Sequence, residues 1–315
     1  MTEFSNDQII RALYLSILDR EPDAGGFEDH DARLRAGATL QDLIAAFINS
    51  EEFKKRYLAA HPIEEASVDY SAIGMKDAIR NGWYAAQSTE LCRGFAINSS
   101  DTVADIGCGD GGNIVFCARY ASKVIAVDLD PRRLANTERR LQKDSKAQYV
   151  VHLSDGNPLP IDTGTIDKVI CTEVLEHVDD PVRFIDELVR IGKPGAMYLL
   201  TVPDALCEQV LKQIAHPAAY QKPHHVRIFS RQEFESLAQA GGLQVIDHRY
   251  RSFYWAVWHA LNWRCGAGMT GHHPVLDYWA KAWAGLLELP RGEECARALD
   301  RAMPKSQIII ARKTQ

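Results

Sequence analysis

A glycine-rich turn after an apolar segment has the clearest chemical meaning in this sequence. The stretch VADIGCGDGGN, residues 103–113, predicts a buried strand, then a turn, then the start of a helix. Glycines leave the backbone of such a turn open, so a ligand can lie directly against it. The stretch VIAVD ends at Asp128, 21 residues after Gly107, and predicts a second strand. An acid at the end of that strand can accept hydrogen bonds from both hydroxyls of a ribose.

Two ligand classes share a glycine turn and a ribose-binding acid, and the residues beside the turn separate them. Nicotinamide-dependent dehydrogenases use GxGxxG at a helix that faces a pyrophosphate. Here the turn reads DIGCGDGG, and a carboxylate is favourable beside an ammonium group but not beside a pyrophosphate. The pattern resembles the class I S-adenosylmethionine-dependent methyltransferases. This resemblance implies that Asp105, Gly107, Cys108 and Gly109 face the methionine part of the cofactor.

The segment after the third predicted strand agrees with this resemblance. It reads LSDG, residues 153–156, at the place where family members hold an acid against the adenine amino group. The matched residues are Asp155 and, through its amide, Gly156. On the neighbouring strand, Leu129 follows the ribose acid and is expected to contact the same cofactor.

The segment DKVICTEVLEHV, residues 167–178, closely resembles the fourth-strand motif of the same family. Its chain leaves the strand at the carboxyl edge of the sheet, where ligands of open α/β folds bind. The resemblance covers about residues 80–250 and implies S-adenosylmethionine as cofactor and S-adenosylhomocysteine as product. Glu173 and His177 are the expected cofactor contacts of this segment.

Histidines are the candidate catalytic residues, because methyl transfer to a hydroxyl often requires removal of its proton near neutral pH. His177 ends the fourth-strand motif on the side expected to face the acceptor. His224 and His225 lie at the start of HHVRIFS, which resembles an acceptor-lining loop with His225 at the family's histidine position. Each histidine also has a structural interpretation, in which it only holds its loop. Asp204 could orient His224 or His225, and no ligand spacing predicts a metal site.

The elements that must position these residues alternate between strand and helix. Apolar, β-branched runs predict strands at 102–106, 123–127, 148–153, 167–172, 196–202, 243–247 and 306–312. Helical patterns fall at 112–120, 131–143, 181–191 and 231–241. This alternation predicts a doubly wound α/β fold, a seven-stranded, mostly parallel, Rossmann-like sheet with helices on both faces.

Three other regions frame the predicted domain at 101–315. Residues 1–60 predict a small all-helical module, and LYLSILDREPDAGGFEDH with LIAAFINSEEF resembles a module found beside glycosyltransferases and methyltransferases of bacterial surface polysaccharides. Residues 61–100 predict a linker and a first helix. A helical, tryptophan-rich insertion is predicted at 252–304, as a covering lid or a dimer surface, with its aromatic rings in cores or against a sugar.

Composition narrows the function classes. The net charge of −6 and the pI near 6.0 disfavour a nucleic-acid-binding surface, which needs clustered lysine and arginine. No run approaches the roughly 20 apolar residues of a membrane span, although peripheral association and a homodimer stay open. The start lacks the pattern of a secretory signal, and the 7 cysteines form no CxxC pair, so a cytoplasmic protein with reduced thiols is expected.

Three functions are compatible with these patterns. The first is an O-methyltransferase that acts on a sugar of a bacterial surface polysaccharide or its precursor, favoured by the N-terminal module and the tryptophan-rich insertion. The second keeps the chemistry with a small-molecule acceptor, such as a phenol or quinone precursor, because TEVLEHV also resembles the quinone-biosynthesis methyltransferases. The third is a catalytically inactive binding protein, which the intact Asp105, Asp128 and Glu173 disfavour.

Overall fold

The computed structural model describes residues 5–53, 55, 68–222, 224–266 and 272–314. The chain divides into two compact units, Met1–Ser67 and Val68–Gln315. Of the linker and first helix predicted at 61–100, residues 61–67 lie outside the described residues, and the rest contains a helix at Tyr70–Arg80 and three short strands between Trp83 and Ala96. Among the described residues, no helix combines the length and apolarity needed to cross a bilayer.

The first unit contains three short helices around one apolar core. They are α1 (Asn6–Leu18), α2 (Ala24–Arg35) and α3 (Leu40–Asn49). Capping boxes at Ser5 and Thr39 satisfy the free amides at the starts of α1 and α3. The buried side chains of this core come from α1 and α3 and are Ile10, Leu13, Tyr14, Leu18, Leu43 and Phe47.

The second unit is built on a seven-stranded sheet, which confirms the predicted fold class. A separate three-stranded sheet precedes it, formed by β1 (Trp83–Ala85), β2 (Glu90–Cys92) and β3 (Phe95–Ala96). The strands of the main sheet are β4 (Thr102–Ile106), β5 (Lys123–Asp128), β6 (Gln148–Leu153), β7 (Ile166–Thr172), β8 (Gly192–Pro203), β9 (Leu243–Arg251) and β10 (Ser306–Lys313). Their order is β6-β5-β4-β7-β8-β10-β9. The first five strands of this order, β6, β5, β4, β7 and β8, pair in parallel with one another. Strand β10 is antiparallel to both of its neighbours, β8 and β9.

Helices cover both faces of this sheet. They are α4 (Tyr70–Arg80), α5 (Gly112–Cys117), α6 (Pro131–Asp144), α7 (Pro181–Ile191), α8 (Ala205–Ile214), α9 (Arg231–Ala240), α10 (Phe253–Cys265), α11 (Pro274–Glu288) and α12 (Gly292–Ala302). Successive strand residues alternate between faces, so Val169 and Ile170 belong to different buried clusters. Parallel strands require such crossover connections, which bring the carboxyl ends of β4, β5 and β7 to one edge.

The tryptophan-rich insertion is helical, as α10 to α12, and has its own core. Tyr254, Trp258 and Trp283 are buried there together. A side chain at Gly74 of α4 would overlap the ring of Trp255, so α4 packs closely on α10. Trp263 is 41% exposed and lines a cavity, so most of the aromatic residues serve packing while one reaches a candidate site.

Candidate cofactor and acceptor site

The glycine turn between β4 and α5 has the predicted strand–turn–helix form. Gly107 has φ of +77°, and a Cβ there would overlap a methyl group of Val174. The amides of Gly107 and Cys108 donate to the carbonyl of Val127, at 2.8 and 3.0 Å, which ties the turn to the end of β5. The turn therefore requires glycine for its backbone angle and for the close approach of the β7 loop.

Asp105 lies beneath this turn, fully buried at the end of β4. Neither of its carboxylate oxygens has a hydrogen-bond partner among the described residues. Burial, reinforced by the nearby charge of Asp128, raises its pKa to about 7. Asp105 does not line the adjoining cavity, so a role opposite the methionine part of a cofactor stays a prediction.

Asp128 holds two backbone segments at the end of β5. Its Oδ2 accepts the amide of Gly109 at 2.7 Å, and its Oδ1 accepts the amide of Asp130 at 2.9 Å. The carboxylate is 7% exposed and lines a cavity of about 500 Å³, the turn cavity. Each carboxylate oxygen can accept more than one hydrogen bond, so Asp128 can hold the loop and still meet ribose hydroxyls.

The other predicted cofactor residues divide into two groups. Leu129, Asp155, Gly156, Glu173 and His177 line the turn cavity, together with the ring of Phe184 and the side chain of Arg133. Cys108 and Gly109 do not line it. Cys108 is buried, and the guanidinium of Arg133 approaches Gly109 so closely that a Cβ there would overlap it.

Glu173 lies at the boundary between the turn cavity and a second one. It follows β7 with φ of +55°, a conformation that costs a non-glycine residue free energy and is concentrated at functional sites. Its carboxylate accepts the hydroxyl of Thr201 at 2.9 Å and lies 3.4 Å from Nζ of Lys305. Burial acts to raise the pKa of Glu173, but Lys305 and Arg251 outweigh it and hold that pKa below its ordinary value.

The second cavity, the histidine cavity, has a volume of about 720 Å³ and shares three residues with the turn cavity. These shared residues are Glu173, His177 and His224. Its histidines are His177, His216, His224, His225 and His259, and its apolar lining includes Leu211, Ala218, Ala219, Tyr220 and Trp263. The structure therefore places all three predicted catalytic histidines on one cavity, where His177 and His225 have ring centroids 5.0 Å apart.

His225 is oriented by a buried carboxylate. Its Nδ1 lies 2.9 Å from Oε2 of Glu208, and the Glu208 side chain is 1% exposed. Burial acts to raise the pKa of Glu208, but the hydrogen bond to His225 and the charge of Lys305 outweigh it and lower that pKa. The prediction that Asp204 orients a histidine is wrong, because Asp204 caps α8 through the amide of Leu206 and pairs with Arg231 at 2.9 Å.

Three residues of this site have no signal in the sequence that predicts them. Glu208 lies on α8. The residues of this helix, 205–214, follow a predicted strand and contain no recognised motif. Lys305 directly precedes β10, and the charges of Glu173 and Glu208 overcome burial to raise its pKa. His259 belongs to α10, and burial lowers its pKa to about 4. Only for Lys305 does the sequence offer even a weak clue, because a charged residue there directly precedes the apolar strand predicted at 306–312.

The same residues contain a group that could hold a divalent cation. Glu176, His177 and His225 each offer one ligand atom, and these atoms lie within 4.8 Å of one another. Both Glu176 oxygens are buried and make no hydrogen bond in the described part of the chain. Burial and the charge of Glu173 raise the pKa of Glu176 well above its ordinary value. Carboxylate and imidazole ligands suit several divalent metals, so the expected absence of a metal stays untested.

The sheet, its glycine turn and the cavity at its carboxyl edge define the fold of the class I methyltransferases. Residues 104–200 match the family described as a methyltransferase domain, so this part of the second unit is similar to such domains. Residues 1–57 match a domain of unknown function, DUF4214.

Two relatives and one solved structure are also similar to this chain. A ubiquinone biosynthesis O-methyltransferase from Xanthomonas oryzae pv. oryzae is 38% identical over 104 residues, 31% of this chain and 41% of the relative. One from Xanthomonas euvesicatoria pv. vesicatoria is 31% identical over 156 residues, 46% of this chain and 63% of the relative. The chain therefore spans less than two thirds of either relative. A crystal structure of a candidate sarcosine dimethylglycine methyltransferase from Galdieria sulphuraria has a TM-score of 0.51 at 17% identity, over 82% of this chain and 97% of that chain, and shows the fold.

Proposed function

We propose that this protein is an S-adenosylmethionine-dependent O-methyltransferase whose acceptor is a small molecule. The observation that carries the proposal is the pair of adjoining cavities, which share Glu173, His177 and His224. One cavity has the residues expected for an adenosine cofactor, and the other has histidines and an apolar lining. The named functions of the two Xanthomonas relatives favour the same acceptor class over the polysaccharide sugar of the first hypothesis. A polysaccharide acceptor, a cytoplasmic location and a homodimer stay predictions without further support.

In this proposal the cofactor occupies the turn cavity. Asp128 accepts the ribose hydroxyls, and Asp155 with the amide of Gly156 meets the adenine. The methyl group then points toward Glu173 and His177, where the two cavities meet. S-adenosylmethionine supplies a methyl group on a positively charged sulfur, and the acceptor oxygen must lie in line with the breaking carbon–sulfur bond.

We assign proton removal to His225. Its Nδ1–H donates to Glu208, which leaves Nε2 as the acceptor for the proton of the substrate hydroxyl. The bound cofactor would supply the methyl group, and His225 would take up the proton that the acceptor hydroxyl loses. The buried Glu208 carboxylate then stabilises the imidazolium and fixes its orientation, as a positioning residue.

A rival role for His225 comes from the grouping of Glu176, His177 and His225. If a cation binds there, His225 is a ligand and cannot accept the proton. Transfer that is abolished by a chelator and restored by Mg²⁺ or Mn²⁺ would establish that role. Transfer that is unaffected by chelation would support the base.

The test is transfer of a labelled methyl group from S-adenosylmethionine to a panel of phenols and hydroxylated small molecules, with extracted polysaccharide as a second panel. We expect His225→Ala to lower the rate about 10²- to 10⁴-fold, and Glu208→Gln to lower it less. His216→Ala is the matched control, because His216 lines the same cavity but its Nδ1 accepts the amide of Ala218. Label in the polysaccharide alone would refute the acceptor class, and failure to bind the cofactor would favour an inactive binding protein.

A further inference from the structure

A third cavity, the arginine cavity, lies apart from the two described above. Its volume is about 360 Å³, and it is bounded by the end of α4, the turn between β2 and β3, the edge strand β9, and α12. No residue that lines it also lines the turn cavity or the histidine cavity. Six arginines line it: Arg80, Arg93, Arg249, Arg251, Arg297 and Arg301.

Three of these arginines have carboxylate partners. Arg80 pairs with the buried Asp77 at 3.0 Å and also with Asp300. Arg249 pairs with Asp247 at 2.6 Å, and Arg297 pairs with Glu293 at 2.9 Å. These contacts pair three of the six arginines with four carboxylates.

The other three arginines have no such partner in the described part of the chain. Arg93, Arg251 and Arg301 each lack a carboxylate within 4.0 Å. The Arg251 guanidinium is held 4.4 Å above the ring of Trp83, so it is positioned by a cation–π contact rather than by an ion pair. The cavity therefore carries a surplus of positive charge in a chain whose net charge is −6.

Two buried donors give a second, independent indication of a ligand. The side chain of Arg80 is 8% exposed. Its Nη1 lies 3.5 Å from Oε1 of Glu293 but makes no hydrogen bond. Nε of Arg251 is also buried and makes no hydrogen bond. A buried donor without a partner destabilises the fold, and a charged one does so more strongly. An anion in the cavity would satisfy such donors and neutralise the surplus charge together.

We propose that the arginine cavity binds the diphosphate group of a small molecule. Guanidinium groups bind phosphate oxygens through paired, charge-assisted hydrogen bonds, and several non-parallel arginines match a group with many acceptor oxygens. A diphosphate carries enough charge to balance Arg93, Arg251 and Arg301, whereas a single carboxylate does not. The site is a concavity in an acidic protein, which favours a small ligand over a nucleic acid, whose binding requires an extended basic surface.

The experiment is calorimetric titration of the full-length protein with inorganic diphosphate, in a buffer without phosphate or sulfate. We expect binding to the wild type, and Arg93→Ala and Arg301→Ala should each raise Kd about tenfold, the lower limit for loss of a charge-assisted hydrogen bond. Both side chains are exposed, so these variants should fold. Arg119→Ala is the matched control, since it removes an exposed arginine outside this cavity.

Two further arms distinguish a small diphosphate from an anionic membrane surface. A nucleoside diphosphate is titrated under the same conditions, and sedimentation is measured with phosphatidylcholine vesicles that contain phosphatidic acid. Binding of soluble diphosphate that Arg93→Ala and Arg301→Ala weaken, and Arg119→Ala does not, supports the proposal. No heat up to about 1 mM diphosphate, equal weakening by all three variants, or binding to vesicles alone would overturn it.

Discussion

The buried carboxylate of Asp105 allows a quantitative test of the electrostatics beneath the glycine turn. Asp105→Asn replaces the acid with an amide of nearly the same shape and removes its titration. The wild-type carboxyl is fully buried, makes no hydrogen bond among the described residues, and has a pKa of about 7 because of burial and the charge of Asp128. In the unfolded chain its pKa returns to the ordinary value of 3.8.

The sign of the effect follows from linkage. The folded state binds the proton of Asp105 more tightly than the unfolded state does, so its contribution to stability is fully present below pH 3.8 and is lost as the pH rises through about 7. The difference between the two pKa values corresponds to about 4 kcal/mol. About 3 kcal/mol of this falls between about pH 5 and pH 8, where the unfolded carboxyl is ionised and the folded one still titrates.

The assay is urea-induced unfolding of wild type and Asp105→Asn at several pH values in that range. We expect the variant to gain about 3 kcal/mol relative to wild type between about pH 5 and pH 8, because other titrating groups contribute equally to both proteins. Asp155→Asn, which makes the same substitution at an exposed position of a neighbouring loop, is the control. Parallel curves for wild type and Asp105→Asn would refute the reasoning, and so would a difference of opposite sign.

Two further perturbations test other parts of the site. Gly107→Ala should lower the free energy of unfolding by about 2–4 kcal/mol, because the new side chain would have a positive φ and would overlap Val174. Adding Val174→Ala should restore part of this loss, measured by urea unfolding. No restoration would contradict the overlap. Lys305→Met should cost about 2–3 kcal/mol, less than a fully buried pair because Glu173 is 34% exposed. That cost should shrink only as the pH falls below the ordinary glutamate value of 4.5, because the pKa of Glu173 in the folded protein lies lower still. A cost that stays constant down to about pH 3 in thermal unfolding would contradict the ion pair.

The strands and the glycine turn could be predicted because their signals are local. An apolar β-branched run ending at Ile106, followed by glycines, specifies a strand and a turn without reference to the rest of the chain. The predicted strand at 196–202 is longer in the structure, Gly192–Pro203. Its first four residues are glycine, lysine and proline, and Gly192 pairs with Ile166 of β7 before a break in the register, so pairing rather than hydrophobic pattern extends the strand.

The acceptor side of the site could be predicted only in part, because its contacts join distant segments. The histidines near 224 are visible as residue types, but the partner of His225 is decided by how α8 packs, and Glu208 is 17 residues away. Asp204 lies closer to the end of a predicted strand than Glu208 does, so the sequence favours Asp204 as the residue that orients a histidine. The structure uses it instead to cap α8 and to hold Arg231, and sequence spacing alone cannot distinguish these uses.

The charges around Glu173 are consistent with the direction in which the proposed reaction moves charge. In the proposed reaction the cofactor would bring a positive charge into the turn cavity, and Glu173 is a carboxylate that lines both this cavity and the histidine cavity. After transfer, S-adenosylhomocysteine has a neutral sulfur and the positive charge is on His225, 2.9 Å from the Glu208 carboxylate. Lys305 lies 3.4 Å from Glu173 and raises no barrier to this movement, because its charge is already matched by that carboxylate. The buried acid Glu208 would therefore stabilise the positive charge where it arrives, which is the arrangement that electrostatic catalysis requires.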